Sequence, residues 1–230
     1  MWLITWIREN IPWDLSIIPE YFPRFYTFAL LTLQLTLMGI LVGLILGLIF
    51  ALLRISKFKL FNLPAKVYIW FVRGTPLLLQ LWLIYYGLAD IVRIPRGPAA
   101  ILALGIHNGA YIAEIFRGAI LSIDRGQREA ALSLGMTSWQ AMKRIVLPQA
   151  FKRSIPPLGN QFIIALKDTS LASTIGATEL MMRTRQIGSS NFIMFEILMV
   201  AAIYYLIMTS VLTFAVGKLE ARLSISDHRV

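Results

Sequence analysis

Between Phe25 and Leu53 the chain carries no charged residue. That run exceeds the roughly 20 apolar residues a helix needs to cross the hydrocarbon core of a bilayer. Four further blocks, about 62–88, 98–122, 156–175 and 192–217, read the same way. The sequence therefore predicts an all-α, polytopic membrane protein with five transmembrane helices. Composition agrees: 57% of the 230 residues are hydrophobic and 15% charged, with a mean hydropathy of +0.69, values a soluble domain rarely reaches. In the first span Gly39, Gly43 and Gly47 recur every four residues and form a stripe that admits a close neighbour, within the subunit or across a dimer.

The polar residues are segregated, and their positions predict topology. Arg54, Lys57, Lys59, the basic residues of 123–154, Lys218, Arg222 and Arg229 fall on one side of a five-span arrangement. The smaller set Arg8, Arg24, Arg93, Arg96, Arg183 and Arg185 falls on the other. The positive-inside rule puts the first set in the cytoplasm, with the C-terminus cytoplasmic and the N-terminus outside. The net charge of +10 is thus read as membrane orientation and not as a sign of a nucleic-acid partner. Residues 1–24, with Trp2, Trp6, Trp13 and Tyr21, read as an extracellular interfacial segment, with a disordered tail as the alternative. No basic region followed by a small-residue cleavage site marks a signal peptide at the start. Residues 25–220 form the transmembrane domain, 176–191 a polar loop between spans, and 221–230 a cytoplasmic tail.

Residues 129–148, EAALSLGMTSWQAMKRIVLP, are the longest mixed polar and apolar stretch between hydrophobic blocks. EAALSL favours a short helix with an acid in its first turn, which Gly135 ends. Thr137 or Ser138 can cap a second helix over about 139–147, and Pro148 follows where it should stop or bend. Lys143, Arg144, Lys152 and Arg153 keep this bent pair in water. By itself the elbow is a helical hairpin that either steadies the fold or docks on a partner.

The spacing E-A-A, three residues, Gly, nine residues, I-x-L-P resembles the coupling loop of ABC-importer membrane subunits. The segments FVRGTPLLLQLWLIYYGL, NGAYIAEIFRGAI and ALKDTSLAS extend the resemblance over about 20–220, to the permeases of polar amino-acid ABC importers of the histidine, glutamine and arginine type. The resemblance implies a type I importer core with a cytoplasmic coupling helix, located in a bacterial inner membrane and surrounded by lipid. It implies a second permease subunit (a copy or a paralogue), two ATP-binding subunits and an external substrate-binding protein, with an amino acid as cargo. Another small polar solute is the alternative cargo. It places ATPase coupling on Glu129, Ala130, Ala131, Gly135, Met136, Ile145, Leu147 and Pro148.

The chain has no P-loop pattern, so ATP hydrolysis is expected from the partners and not from an enzymatic site here. The chain has no cysteine and two histidines, His107 and His228. They are distant, so no catalytic set, metal site or cofactor is expected. A channel or secondary transporter would have no use for the elbow.

Ionisable groups within spans usually face a bundle interior or a cavity. A rise of about 1.5 Å per residue puts Asp168, Arg73 and Glu114 about 12–17 Å in from the cytoplasmic face, where transporter sites lie. Asp168 and Glu114 can meet an ammonium. Arg73, Lys167, Thr75 and the backbone freed at Arg73-Gly74-Thr75-Pro76 can meet a carboxylate, and the resemblance adds Thr169 and Ser170 to the substrate pathway. Each has a plainer reading: Glu114 and Arg117, one turn apart, can form a structural pair, and Arg73 can lock the interrupted second span.

Overall fold

The computed structural model describes residues 13–56 and 58–225, and every regular element among them is helical. Residues 1–12, 57 and 226–230 lie outside the described residues, and with them the expectations for Trp2, Trp6, Arg8, Lys57, His228 and Arg229.

Three short turns, Leu15–Ile17, Ile18–Tyr21 and Phe22–Phe25, lead into α1, Tyr26–Ile55, so that Leu15–Ile55 forms one helical run of 41 residues. Helix α2, Lys59–Gly74, and α3, Leu77–Trp82 with its continuation Leu83–Gly87, make the interrupted second block. Their axes differ by 106° across Thr75-Pro76. Pro76 leaves the preceding residue unable to continue the helix, and Thr75 is extended at φ −124°, ψ 146°.

Helix α4, Arg96–Leu121, occupies the middle. Helices α5, Arg125–Ser133, and α6, Ser138–Ala141, follow, and a wide π turn, Met142–Val146, leads into α7, Leu147–Asp168. A 3₁₀ segment, Thr169–Ile175, then α8, Leu180–Asn191, and α9, Met194–Ile225, complete the chain.

The glycine stripe of α1 packs on α4 of the same chain. A Cβ built on Gly39 would lie 2.7 Å from the Leu104 side chain, and one on Gly47 2.4 Å from Ile112. The recess is reciprocal, because a Cβ on Gly105 would lie 2.4 Å from Val42. Hydrogen bonds fix the other layers. Gln161 Nε2 on α7 donates to Asn108 Oδ1 on α4 at 2.8 Å, and both residues are buried. Thr36 on α1 shares a 2.9 Å hydroxyl contact with Thr169. Leu180 N–H, the first of α8, donates to Thr32 Oγ1 at 3.0 Å.

Several expectations need correction. Pro148 neither stops nor bends the helix away. The π turn before it already departs from regular bonding, and Pro148 falls in the first turn of α7, where a missing N–H is harmless. Pro156 and Pro157 therefore do not start a helix but lie inside α7. Neither proline has an N–H to give the helix its usual bond to the fourth residue back.

The polar loop expected over 176–191 is largely the helix α8. Glu179 caps it, its carboxylate accepting from the N–H groups of Met181 at 2.8 Å and Met182 at 2.6 Å. Its buried face, Leu180, Thr184, Ile187 and Gly188, packs against α9. The expected tail is helical through residue 225.

Residues 13–25 are held against α9. The ring of Trp13 stacks on Phe195 at 3.8 Å, Asp14 N–H donates to Glu196 at 2.9 Å, and Tyr204 O–H donates to the Phe22 carbonyl at 2.8 Å.

By length and apolarity three helical runs can cross a membrane, Leu15–Ile55, Arg96–Leu121 and Met194–Leu223, and the bent α2–α3 pair makes a fourth. Helix α7, counted as the remaining span, falls outside that set. It carries Lys152, Arg153, Lys167 and Asp168, and turns Ser154 and Gln161 into the bundle.

Candidate functional site

The break between α2 and α3 frees backbone carbonyls, and one side chain takes them up. Gln80 Nε2 donates to the carbonyl of Val72 at 2.8 Å and, through a hydrogen shared between two acceptors, to the Thr75 carbonyl at 3.1 Å and Thr75 Oγ1 at 2.9 Å. His107 of α4 meets Gln80 Oε1 at 3.2 Å. Thr75 Oγ1 donates back to the Phe71 carbonyl at 2.9 Å. The hydroxyl expected to meet substrate is thus engaged in holding the break. Glutamine suits this task because its amide offers two donors and an acceptor from one buried position. Gln80 and His107 were not among the expected site residues, although a Gln four residues after the break proline is a visible signal.

The same stripe of α4 continues away from the break. His107 and Tyr111 have ring centroids 5.1 Å apart, and the Arg73 guanidinium lies 5.3 Å from the Tyr111 ring, within cation–π range. One turn on, Arg117 grips Glu114 in a two-pronged pair, with Nε to Oε2 at 3.0 Å and Nη2 to Oε2 at 2.7 Å. Both of the plainer readings therefore have a geometric basis: Glu114 is paired, and Arg73 packs beside the break.

Asp168 lies elsewhere. It borders a void of about 10 Å³ with Leu77, Leu81, Ala100, Ala103, Leu104 and Leu171, which is room for about one water. From Leu104 to Glu114 is about 15 Å along α4 at 1.5 Å per residue. The two carboxylates expected to meet an ammonium, Asp168 at the end of α7 and Glu114 on α4, therefore lie at separate places along α4. Thr169 is fully buried, donating to the Ala165 carbonyl at 2.8 Å, and ties α7 to α1. Ser170 donates to the Lys167 carbonyl at 2.7 Å. Lys167 is exposed and Asp168 half-buried.

At the far end of α4 the chain turns at Gly135 as expected, but the first arm begins at Arg125, capped by Asp124, so Glu129 is not in its first turn, and the second arm continues into α7. Gly135 sits at φ +81° with nothing within 4 Å of where a Cβ would be, so glycine is there for the left-handed turn. Thr137 Oγ1 accepts from Gln140 N–H at 3.3 Å, while Gln140 Oε1 accepts from Thr137 N–H at 2.9 Å, a capping box. The foot of the elbow is anchored. Val146 and Ala150 pack with Ala119, Ile120 and Ile123, and Leu147 lies against them. Arg153 Nη1 donates to the Ser122 carbonyl at 2.6 Å.

Of the expected coupling residues, Ala131 is buried and Met136, Ile145 and Leu147 are half-buried, while Glu129, Ala130, Gly135 and Pro148 are exposed. The tip instead presents Leu134, 82% exposed, and Trp139, 67% exposed. Both were missed, although large apolar residues either side of a turn glycine on a water-facing elbow are the readable sign. The elbow thus has a buried foot and an apolar, exposed tip.

Residues 24–225 match the family of binding-protein-dependent transport system inner membrane components. The chain belongs to this family. The glutamine transport system permease protein GlnP of Escherichia coli (strain K12) is 46% identical over 167 residues, which are 71% of this chain and 76% of that protein. The probable amino-acid ABC transporter permease protein PatM of Vibrio harveyi is 41% identical over 215 residues, 90% of this chain and 96% of that one.

Among solved structures, an amino acid ABC transporter crystallised with histidines has a chain with a TM-score of 0.87 and 40% identity, covering 91% of this chain and 98% of its own. An inward-facing MetNI methionine ABC transporter reaches a TM-score of 0.70 at 20% identity, covering 87% and 94%, and speaks for the fold alone. As a binding-protein-dependent transport component, this family member has the type I importer fold.

Proposed function

We propose that this chain is the membrane-spanning subunit of an ATP-driven importer of a polar amino acid, working in a pair with a copy or paralogue. The observation that carries this is the anchored elbow with Leu134 and Trp139 unburied at its tip, on a chain whose relatives over most of its length are amino-acid permeases. Two ATP-binding subunits would seat the elbows, and a binding protein would deliver cargo at the opposite end. The basic residues around the elbow support a cytoplasmic position for it and for the C-terminus. Five membrane crossings, with α7 as the fourth, follow if the α2–α3 pair crosses once.

Alternating access gives each part a task. ATP draws the paired ATPases together, the elbows follow, and because their feet are packed beneath α4 the bundle tilts. The void at Asp168 then has to widen, since at about 10 Å³ it admits no amino acid. Asp168 and Glu114 would be met in sequence along α4, not together.

The test is reconstitution with the ATPase and binding protein, and uptake of labelled L-glutamine, L-arginine, L-histidine and L-cystine. ATP-dependent uptake of at least one is expected. Leu134→Asp and Glu129→Lys should each lower uptake at least about tenfold, as loss of a buried interface anchor does, while thermal stability in detergent stays that of the parent; Gly135→Pro cannot take the +81° φ of the turn and should lower uptake together with stability. Normal uptake by all three variants would remove the lever from the account, and transport without any ATPase would remove the importer.

A further inference from the structure

The end of the bundle remote from the elbow holds a second polar feature that the pathway residues above do not include. A cavity of about 530 Å³ opens between the start of α4, the Thr169–Ile175 turn and α8. Its polar wall includes Arg96, Arg185, Ser173, Thr174, Ser189 and Ser190. Helix α4 has 26 residues, so this wall is about 39 Å from the elbow at 1.5 Å per residue.

Two guanidiniums face one cavity from two elements, and among the described residues neither forms an ion pair. Arg96 is held in place: its Nε donates to Tyr85 Oη at 3.4 Å, and its guanidinium carbon would lie 3.4 Å from a Cβ on Gly176. Gly176 is left-handed at φ +74°, so the residue that ends the 3₁₀ turn also leaves the surface against which Arg96 lies. Thr174 is oriented too, its hydroxyl accepting from Trp82 Nε1 at 3.1 Å and donating to the Leu171 carbonyl at 2.7 Å.

Two cationic forks and several hydroxyls with no acid among them are complementary to a carboxylate, in a cavity of the size that small ligands occupy. We propose that this cavity is an entry subsite that takes the α-carboxylate of the incoming amino acid before the molecule reaches Asp168. The inference rests on the amino-acid reading above and adds a second station to it. Asp168 and Thr174 are six residues apart on a 3₁₀ segment, about 12 Å at 2.0 Å per residue. A free amino acid holds its ammonium and carboxylate much closer than that, so one molecule cannot touch both stations at once. The carboxylate is met first, at the mouth, and the ammonium afterwards, deeper in.

The experiment is equilibrium binding to the purified permease–ATPase complex without binding protein. The probes are L-glutamine, L-arginine and L-histidine and the carboxamide of each, in wild type, Arg185→Gln and Arg185→Lys. For the amino acid that the wild type transports, the free acid is expected to bind about tenfold more tightly than its amide, the scale of a charge-assisted hydrogen bond. Arg185→Gln should weaken the free acid about tenfold and erase the preference, while Arg185→Lys keeps part of it.

Equal preference in wild type and Arg185→Gln overturns the subsite, as does a transporting wild type that binds none of the probes. A shift only in the binding-protein concentration needed for half-maximal transport, with the preference intact, also overturns it and assigns the arginines to an acidic surface of that protein. Failure of the wild type to transport any amino acid refutes the functional reading itself, a different result from failure of the subsite alone.

Discussion

Helices α4 and α9 are both long enough and apolar enough to cross a bilayer, yet they are opposite kinds of helix. In α4, 61% of the most apolar 18-residue window is buried within the chain; in α9, 28% is. Helix α4 is built from Ala and Gly with Asn108, His107 and Glu114 among them, and it touches α1, α2, α3 and α7. Helix α9 is buried only along one face of its first half, at Ile197, Val200, Ala201, Tyr204 and Met208, and presents Leu206, Val211 and Phe214 outward. The difference follows from the solvent. Lipid is as apolar as leucine, so large aliphatic residues gain little by turning inward, while small residues let backbones approach and polar ones find partners only inside. The more lipophilic helix is therefore the peripheral one, and the helix that looks less suited to a membrane forms its centre.

If that contrast is correct, the largest effect will come from enlarging a residue on the α1–α4 seam. Gly47→Leu puts a side chain where Ile112 is already 2.4 Å from the first added carbon and the Ala113 backbone nitrogen is 3.2 Å away. Helix α1 would have to separate from α4, at about 3 kcal/mol or more, the upper range of overpacking. Thermal unfolding of the purified protein in detergent should fall by about 6 °C or more for a chain of this size. A midpoint within a degree of the parent would mean the seam is not what holds the two helices together.

The next effect concerns the anchored half of α9. Glu179 sits fully buried under it, capping α8 and accepting from Tyr205 Oη at 3.4 Å. Burial pushes its carboxyl from 4.5 up to about 7, against the pull of the Met181 and Met182 N–H groups. A carboxyl raised in this way holds more protons folded than unfolded between those two values. Its contribution is complete below pH 4.5 and is lost as pH rises through about 7. Raising the pH from 5 to 8 should therefore lower stability by about 2 kcal/mol, roughly 5 °C in the unfolding midpoint. Glu179→Gln should flatten the profile. A wild-type midpoint that rises over the same interval would show that α9 is anchored some other way.

The helix-rich fold, the seam glycines, the break at Thr75-Pro76 and the elbow turn at Gly135 were legible because each rests on a local rule: hydropathy, small-residue spacing, proline and left-handed glycine. What was not legible depended on contacts far apart in sequence. Helix α8 reads as a polar loop until its buried face meets α9 and Glu179 turns back to cap it. Pro156 and Pro157 look like a helix start because the π turn that sets the frame of α7 has no signature in composition. At the candidate site the residue types were readable but their grouping was not. Thr169 looks like a pathway hydroxyl until Thr36, 133 positions away, closes over it, and Glu114 and Asp168 share a helix neighbour without sharing a cavity.

The smallest effect is expected on the outer face of α9, and it sharpens the comparison most, because a null result there is informative. Leu206 is 67% exposed within the chain. Leu→Ala in a close-packed core costs about 2–5 kcal/mol, and the same change facing lipid leaves no cavity, since acyl chains fill the space. Leu206→Ala should therefore shift stability by less than about 0.5 kcal/mol, in detergent and in lipid alike. A loss near the core value would mean that another protein surface covers this half of α9. The most probative form of the measurement is the same variant alone and in the assembled transporter. Neutrality in both keeps α9 a lipid-facing helix, and a loss only in the assembly would locate the second permease subunit on it.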